Sequence, residues 1–444
     1  MTHPTHSMSA SNPQAPAKST GAWREIAAAS IGNALEFYDL LIYGYFALTI
    51  GKLFFPTGDE RTSLLLSVGT FGISFVMRPL GAVVLGAYAD RAGRKKALTA
   101  SIMLMMVGTG MIALCPTYAS IGVWAPAIII AARLMQGFST GGEFGAATAF
   151  MVEHAPVSRR GFYASWQAST QGLATLLAAG FSSIITATLL PADVDAWGWR
   201  IAFMVGLLIG PVGFYIRRHV SETPEFLSAV KSKKPDSSPL RDLIKVHPMA
   251  VLLGGGVVAG VTGFNYVQKL YMPTFAVKQL HIPASTALAC TAVTGLMVMV
   301  LAPLFGALSD RIGRGRSMLT ALSIVALTTY PLFAWLVAYP TSGTLLAVQA
   351  IVGILLAAIL APLPALLAEL FPIETRGSGL AISYNLSVTV FGGFAPLIVT
   401  WLIGATDNLM SPSFYVLTTA VVSLSSLWAL RLPPAPRRGG MATA

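Results

Sequence analysis

Charge is scarce in this sequence. Only 11% of the 444 residues are Asp, Glu, Lys or Arg, against 55% hydrophobic ones, and the mean hydropathy is +0.69. That balance excludes ordinary soluble domains with polar surfaces and leaves a polytopic membrane protein. Cysteine is nearly missing. Cys115 at a helix end and Cys290 in an apolar run are too few and too distant for a disulfide framework, and neither is assigned a role. No histidine falls in mid-span: His3 and His6 are near the start, and His154, His219, His247 and His281 are in loops or at helix ends. Any proton relay within the spans must therefore use carboxylates. There is no paired metal-binding motif, no nucleophile beside a base and no large soluble output domain, which argues against an intramembrane enzyme or a sensor. The net charge of +11 falls in short loops, without the aromatic-lined basic face that nucleic acid requires.

What is present is a dozen apolar stretches long enough to cross roughly 30 Å of hydrocarbon. They fall at about 26–50, 63–89, 97–114, 121–151, 161–189, 198–216, 249–277, 284–308, 317–338, 343–369, 377–404 and 412–430. An even count puts both termini on one side. Twenty-two of the 29 Lys and Arg lie in the segments on that side and four (Lys52, Arg61, Arg200, Lys278) on the other, so the positive-inside rule predicts cytoplasmic termini. The first 20 residues, rich in Ser, Pro, Ala and Thr, read as a disordered tail rather than a signal peptide. The expected plan is an N-terminal six-helix bundle over 21–216, a charged linker over 217–247, a C-terminal six-helix bundle over 248–431 and a tail over 432–444.

Two strings are written twice. Gly86-Ala87-Tyr88-Ala89-Asp90-Arg91-Ala92-Gly93-Arg94-Lys95-Lys96 returns 220 residues later as Gly306-Ala307-Leu308-Ser309-Asp310-Arg311-Ile312-Gly313-Arg314-Gly315-Arg316. Glu153-His154-Ala155-Pro156 with Arg160-Gly161 returns as Glu369-Leu370-Phe371-Pro372 with Arg376-Gly377, at an offset of 216. Two pairs at nearly one offset imply a tandem duplication. An Asp at a helix end, then an Arg and a Gly-bounded turn, makes a latch that can hold the neighbouring bundle in one state and release it in another. Asp90, Arg91, Arg94, Asp310, Arg311 and Arg314 are therefore gate candidates, with Glu153–Arg160 and Glu369–Arg376 extending the network. For the basic members, simple obedience to positive-inside is the competing explanation.

Substrate chemistry is sought among charges inside the spans, where an ion costs roughly 3 kcal/mol or more unless paired or hydrated. Arg78, Arg133 and Lys269 are the cations there; Glu36, Asp39 and Glu143 are the acids. Glu36 and Asp39, three apart, are expected on one helix face. Arg133 has no carboxylate one turn away and its planar fork suits a carboxylate ligand. Two readings stay open for Arg78, a substrate contact or an internal pair with Glu36 or Asp39, and two for Lys269, a substrate contact or a side chain snorkelling outward. Gln167, Thr170 and Gln171 on the fifth span, and Tyr384, Asn385 and Thr389 on the eleventh, complete the candidate site or bond helix to helix.

The repeated loop resembles the one joining the second and third helices of each half in the major facilitator superfamily. Gly32-Asn33-Ala34-Leu35-Glu36-Phe37-Tyr38-Asp39, Met77-Arg78-Pro79-Leu80-Gly81, Arg133-Leu134-Met135-Gln136-Gly137-Phe138-Ser139 with Gly142-Glu143, and Gly161-Phe162-Tyr163-Ala164-Ser165-Trp166-Gln167 resemble its metabolite:proton symporter family, most closely the bacterial citrate and tricarballylate carriers. The resemblance spans nearly the whole chain. It implies an all-α protein of twelve transmembrane helices in two bundles. It also implies a monomer in the inner membrane that imports a di- or tricarboxylate with protons, without a cofactor. Arg133, Arg78 and Lys269 would then hold the anion, and Asp39, Glu36 or Glu143 the proton. Lys269 departs from the pattern expected of citrate members. A carrier of a zwitterion or monocarboxylate (betaine, proline, shikimate) is the alternative. The osmolyte carriers have a long coiled-coil tail, whereas this chain stops soon after its last span.

Overall fold

A computed structural model describes residues 33–34, 36–92, 94–141, 143–153, 155–218, 248–372 and 375–430. The two tails and nearly all of the expected linker, 219–247, lie outside the described residues. So do the side chains of Asp90, Arg91, Arg94 and Glu143, although each of the four sits within a helix.

The described chain is helical throughout, with no strand among the described residues. In order come α1 (Glu36–Tyr45), α2 (Ala47–Phe54), α3 (Glu60–Ala92), α4 (Arg94–Leu114), α5 (Trp124–Thr140), α6 (Glu143–Glu153), α7 (Val157–Thr188) and α8 (Trp199–Arg218). The second half continues with α9 (Pro248–Gln279), α10 (Ala284–Ile312), α11 (Arg314–Ala338), α12 (Ser342–Glu369), α13 (Arg376–Thr406) and α14 (Ser411–Ala429). Among the described residues eight helices are long and apolar enough to cross a membrane, and the bent pair α1–α2 makes a ninth. The other three positions expected as spans are occupied by α4, by α5 with α6, and by α8.

The ends follow local chemistry. Asp59 caps α3: its carboxylate accepts from the Thr62 backbone N–H at 2.8 Å and from the Thr62 hydroxyl, which holds its carboxyl below the usual range. Thr341 caps α12 by accepting from Thr344 N at 3.1 Å. Gly313, between α10 and α11, has a φ of 96° that an L side chain would resist. The repeated loop therefore turns sharply at that glycine. Three departures from plain helix matter: a 65° bend between α1 and α2, and π turns at Val267–Tyr271 in α9 and Val388–Gly393 in α13.

Packing repeats along with the sequence. Within the first half α3 lies on α5 and α4 on α8; within the second, α10 lies on α12 and α11 on α14. The halves meet through α7 on α10 and through α3 on α13, contacts that exchange under the duplication. The antiparallel α7–α10 crossing is made by glycines at both of its ends. A side chain on Gly172 would strike the backbone of Gly295 and Met299, and one on Gly295 the backbone of Gly172 and Leu176. Nearer the repeated loop, Gly161 and Gly306 stand in the same reciprocal relation. Small residues are what allow two membrane helices to approach this closely. The outward surface carries Leu208, Leu252, Leu304, Leu327 and Trp428, all well exposed, as a lipid-facing wall would.

Candidate functional site

Arg133, 1% exposed at the middle of α5, packs against two rings: its Cζ lies 4.4 Å from the Tyr43 centroid of α1 and 5.1 Å from that of Phe71 on α3. Such faces attract a desolvated guanidinium. One of its N–H groups donates to Gln136 Oε1 at 2.8 Å and another to Ser74 Oγ at 3.3 Å, while Nε has no partner. The bonds run on. Gln136 Nε2 donates to Thr109 Oγ1 at 3.0 Å, and the Thr109 hydroxyl donates to Asp39 Oδ2 at 2.5 Å. Asp39 Oδ1 has no donor, and a side chain on Gly206 of α8 would press against it. Three helices, α5, α4 and α1, thus join a buried cation to a buried acid through two neutral side chains.

Arg78 is placed differently. It pairs with Glu36 at 3.2 Å, both side chains buried, and lies 4.2 Å over the Phe75 ring. Of the two readings open for it, the internal pair is the one the structure forms. Glu36 and Asp39, expected on one face, contact different helices: the first reaches α3 and the second α4. Three residues subtend enough of a turn for two short acids to diverge when each finds its own donor.

Lys269 lies in the π turn of α9, 2% exposed, and its Nζ has no partner. It does not snorkel. Both amide atoms of Gln268, Asn265 Oδ1 and the Tyr266 hydroxyl are also buried and unsatisfied. Tyr266 packs on Phe75 and Phe71, the rings that carry the two arginines.

Of the polar residues on the fifth and eleventh spans, Gln167 Oε1 accepts from Thr148 at 3.0 Å and leaves its Nε2 free, and Gln171 is buried nearby. Tyr384 stacks on Phe144 of the other half, 3.4 Å between centroids and nearly parallel, and Asn385 Nδ2 donates to Gly141 O at 2.8 Å. Thr389 donates to Phe75 O at 2.9 Å. These three tie half to half.

Both faces of the molecule are latched. At the repeated-loop face the Asp310 carboxylate accepts from the backbone N–H groups of Gly161 and Phe162 at 2.8 and 2.9 Å, and from Arg314 at 2.9 Å. Neither pair expected in the second repeat is the one seen: Glu153 meets Arg376 across the halves at 3.5 Å, and Glu369 meets Arg314 of the repeated loop within its own half. Arg160 is left with an unpartnered Nε, and Arg311 is exposed. Glu153 takes a guanidinium that lies near it only where the two bundles meet, and sequence distance does not measure that. At the opposite face Lys278 pairs with Glu60 across the halves, and Ser183 donates to Ser285 O at 2.7 Å.

Sequence reasoning missed Thr109, a lone threonine in an apolar run, and the Lys278–Glu60 pair, whose members looked like ordinary loop charges. It also missed Phe144. Gln136 had a signal, since it stands one turn after Arg133.

Comparison with known proteins places the chain. The profile of the Sugar (and other) transporter family matches residues 26–249, and that of the Major Facilitator Superfamily matches residues 261–442. A citrate-proton symporter of Klebsiella pneumoniae is 38% identical, covering 88% of each chain. Another from Salmonella typhi is 36% identical over 91% of this chain and 93% of its own. A proline/betaine transporter of Escherichia coli is 33% identical over 90% of this chain and 82% of its own. Among solved structures, a partially occluded, inward-open form of the E. coli xylose transporter XylE superposes with a TM-score of 0.75 at 17% identity, covering 95% of this chain and all of that one, a likeness of fold.

Proposed function

The chain belongs to the major facilitator superfamily, whose members here are transporters and not enzymes, and on that premise we propose that it is a proton-coupled symporter importing a citrate-like di- or tricarboxylate by alternating access. Identity to two citrate-proton symporters over most of both chains supports the substrate class. The observation that carries the mechanism is the Arg133–Gln136–Thr109–Asp39 line. Arg133 holds one carboxylate of the cargo in a bidentate grip, and Asp39 takes the proton at its unpartnered Oδ1.

Coupling follows from charge. While Asp39 is ionised it offsets part of the field of Arg133 through the two neutral links. Protonation removes that offset and leaves the guanidinium freer to bind an anion. By linkage the bound anion favours the proton to the same degree. Arg78, neutralised by Glu36, sets the floor of the site rather than gripping cargo. Glu143 remains a candidate for a second proton. With the termini in the cytoplasm of a bacterial inner membrane, the Asp310 latch closes the inner gate and the Lys278–Glu60 pair the outer one, in a monomer whose coupling ion is H+.

A zwitterion carrier is the second reading, favoured by the proline/betaine relatives. A quaternary ammonium would need aromatic faces, and the faces of Tyr43, Phe71 and Phe75 are covered by arginine. Uptake by proteoliposomes decides between them. An inward proton gradient should drive accumulation of labelled citrate, with competition by tricarballylate and none by betaine; gradient-independent citrate entry, or betaine entry alone, refutes the proposal.

A further inference from the structure

Lys269 is a buried amine with no partner. No acid or hydrogen-bond acceptor among the described residues reaches its Nζ, although the side chain is 2% exposed. An isolated ion in such a place is expensive and is retained only when something completes it. The Gln268 amide beside it, Asn265 Oδ1 and the Tyr266 hydroxyl are unsatisfied as well. Buried polar groups are nearly always paired in a finished interior, so orphan atoms at four of the five positions 265–269 of α9 mark a surface awaiting a ligand.

That surface borders the arginine site through Tyr266. Tyr266 packs on Phe71 and Phe75, which lie against Arg133 and Arg78, and Leu270 occupies the space that a side chain on Gly44 of α1 would fill. The π turn that carries Lys269 is thus pressed against the first half at the level of its cations. Gln349 of α12 holds the turn in place by donating to Gln268 O at 3.4 Å and to Thr291 at 3.0 Å.

Resting on the symporter reading, we propose that Lys269 binds a second carboxylate of the cargo, making it the residue that selects anions with two separated carboxylates over monocarboxylates and zwitterions. Charge arithmetic agrees. With Arg78 and Glu36 neutralising each other, Asp39 protonated and Lys269 protonated as the anion arrives, the described interior holds two uncompensated cations, Arg133 and Lys269, which match a dianion. A cargo held by one cation from each half also pulls the halves together as it binds. A betaine would place its ammonium against Lys269 and be repelled.

The test uses the full chain in nanodiscs and two probes, citrate and citrate with one terminal carboxylate converted to the carboxamide. Wild type should bind citrate at least tenfold more tightly than the amide. K269M should erase that difference, and K269R should keep most of it. Without ligand, K269M should melt no lower than wild type, because it removes an unpaired buried charge. K269M that keeps the preference for citrate, or loses an equal factor for both probes, or melts well below wild type, overturns the assignment. Wild type that takes betaine or proline and ignores citrate overturns the symporter reading beneath it, and the assignment with it.

Discussion

Arg133 and Asp39 are joined without touching: Gln136 and Thr109 stand between the guanidinium and the carboxylate, bonded to each other and one to each ion. An ion pair would neutralise both partners permanently. Two neutral links connect the charges while leaving Arg133 Nε and Asp39 Oδ1 without a hydrogen-bond partner, the two atoms to which the proposed mechanism brings cargo and proton.

Breaking the links should uncouple before it abolishes. Gln136→Leu and Thr109→Val each remove a buried hydrogen bond to an ion or its relay, worth about 1.5–3 kcal/mol, or roughly ten- to a hundredfold. Proton-driven citrate accumulation should fall by that factor while citrate exchange across the membrane without a gradient falls less. Equal losses in the two assays would show that the links only position Arg133.

The Arg78–Glu36 pair should behave as structure. Removing one partner strands the other as a buried charge at a cost of about 3–5 kcal/mol, so Arg78→Gln and Glu36→Gln should each lower Tm markedly. Double replacement should restore most of the loss. A single variant that melts like wild type contradicts the pairing.

The two latches should differ in strength. Asp310 is buried and takes three donors, whereas Glu60 is largely exposed, and exposed pairs contribute only about 0–1 kcal/mol. Asp310→Asn should therefore broaden the distance between spin labels at Ser158 and Ile312, across the repeated-loop face, and reduce uptake severely. Lys278→Ala should alter uptake less than about fivefold, in keeping with a pair of that strength. The reverse ranking would put the principal latch at the opposite face.

Glycine at the α7–α10 crossing admits no side chain. Gly172→Leu and Gly295→Leu should lower Tm, overpacking costing about 1–3 kcal/mol, and stop uptake. Gly180→Leu, on the same helix with open space around it, should leave both unchanged. Loss of uptake in that control would trace the effect to helix composition instead of contact.

The architecture was legible because duplication and hydropathy are written in one dimension. The copies around Asp90 and Asp310 fixed the halves, and the helix ends fall within a few residues of the apolar runs wherever both are described. The membrane-buried charges were legible for the same reason, since an ion in an apolar run is conspicuous. Their partners were not. Whether Arg78 meets Glu36 or Asp39 depends on how α1 rotates against α3, and whether Glu153 meets Arg160 or Arg376 depends on how the bundles close. Thr109 left no trace at all, because one hydroxyl in a hydrophobic helix usually bonds its own backbone, as this one also does to Met105 O at 3.0 Å. The π turns of α9 and α13 were equally silent, being single-residue changes of register.

The reciprocal glycines of α7 and α10 bear on friction. Where two helices touch through main chain and small hydroxyl side chains, there are few rotamers to re-sort when they tilt against each other, and so little side-chain interlocking to undo. Bulky residues at such a crossing would mesh like gear teeth and favour one angle. Gly161 against Gly306 and Gly172 against Gly295 make a smooth bearing instead, along which the two halves meet without meshing.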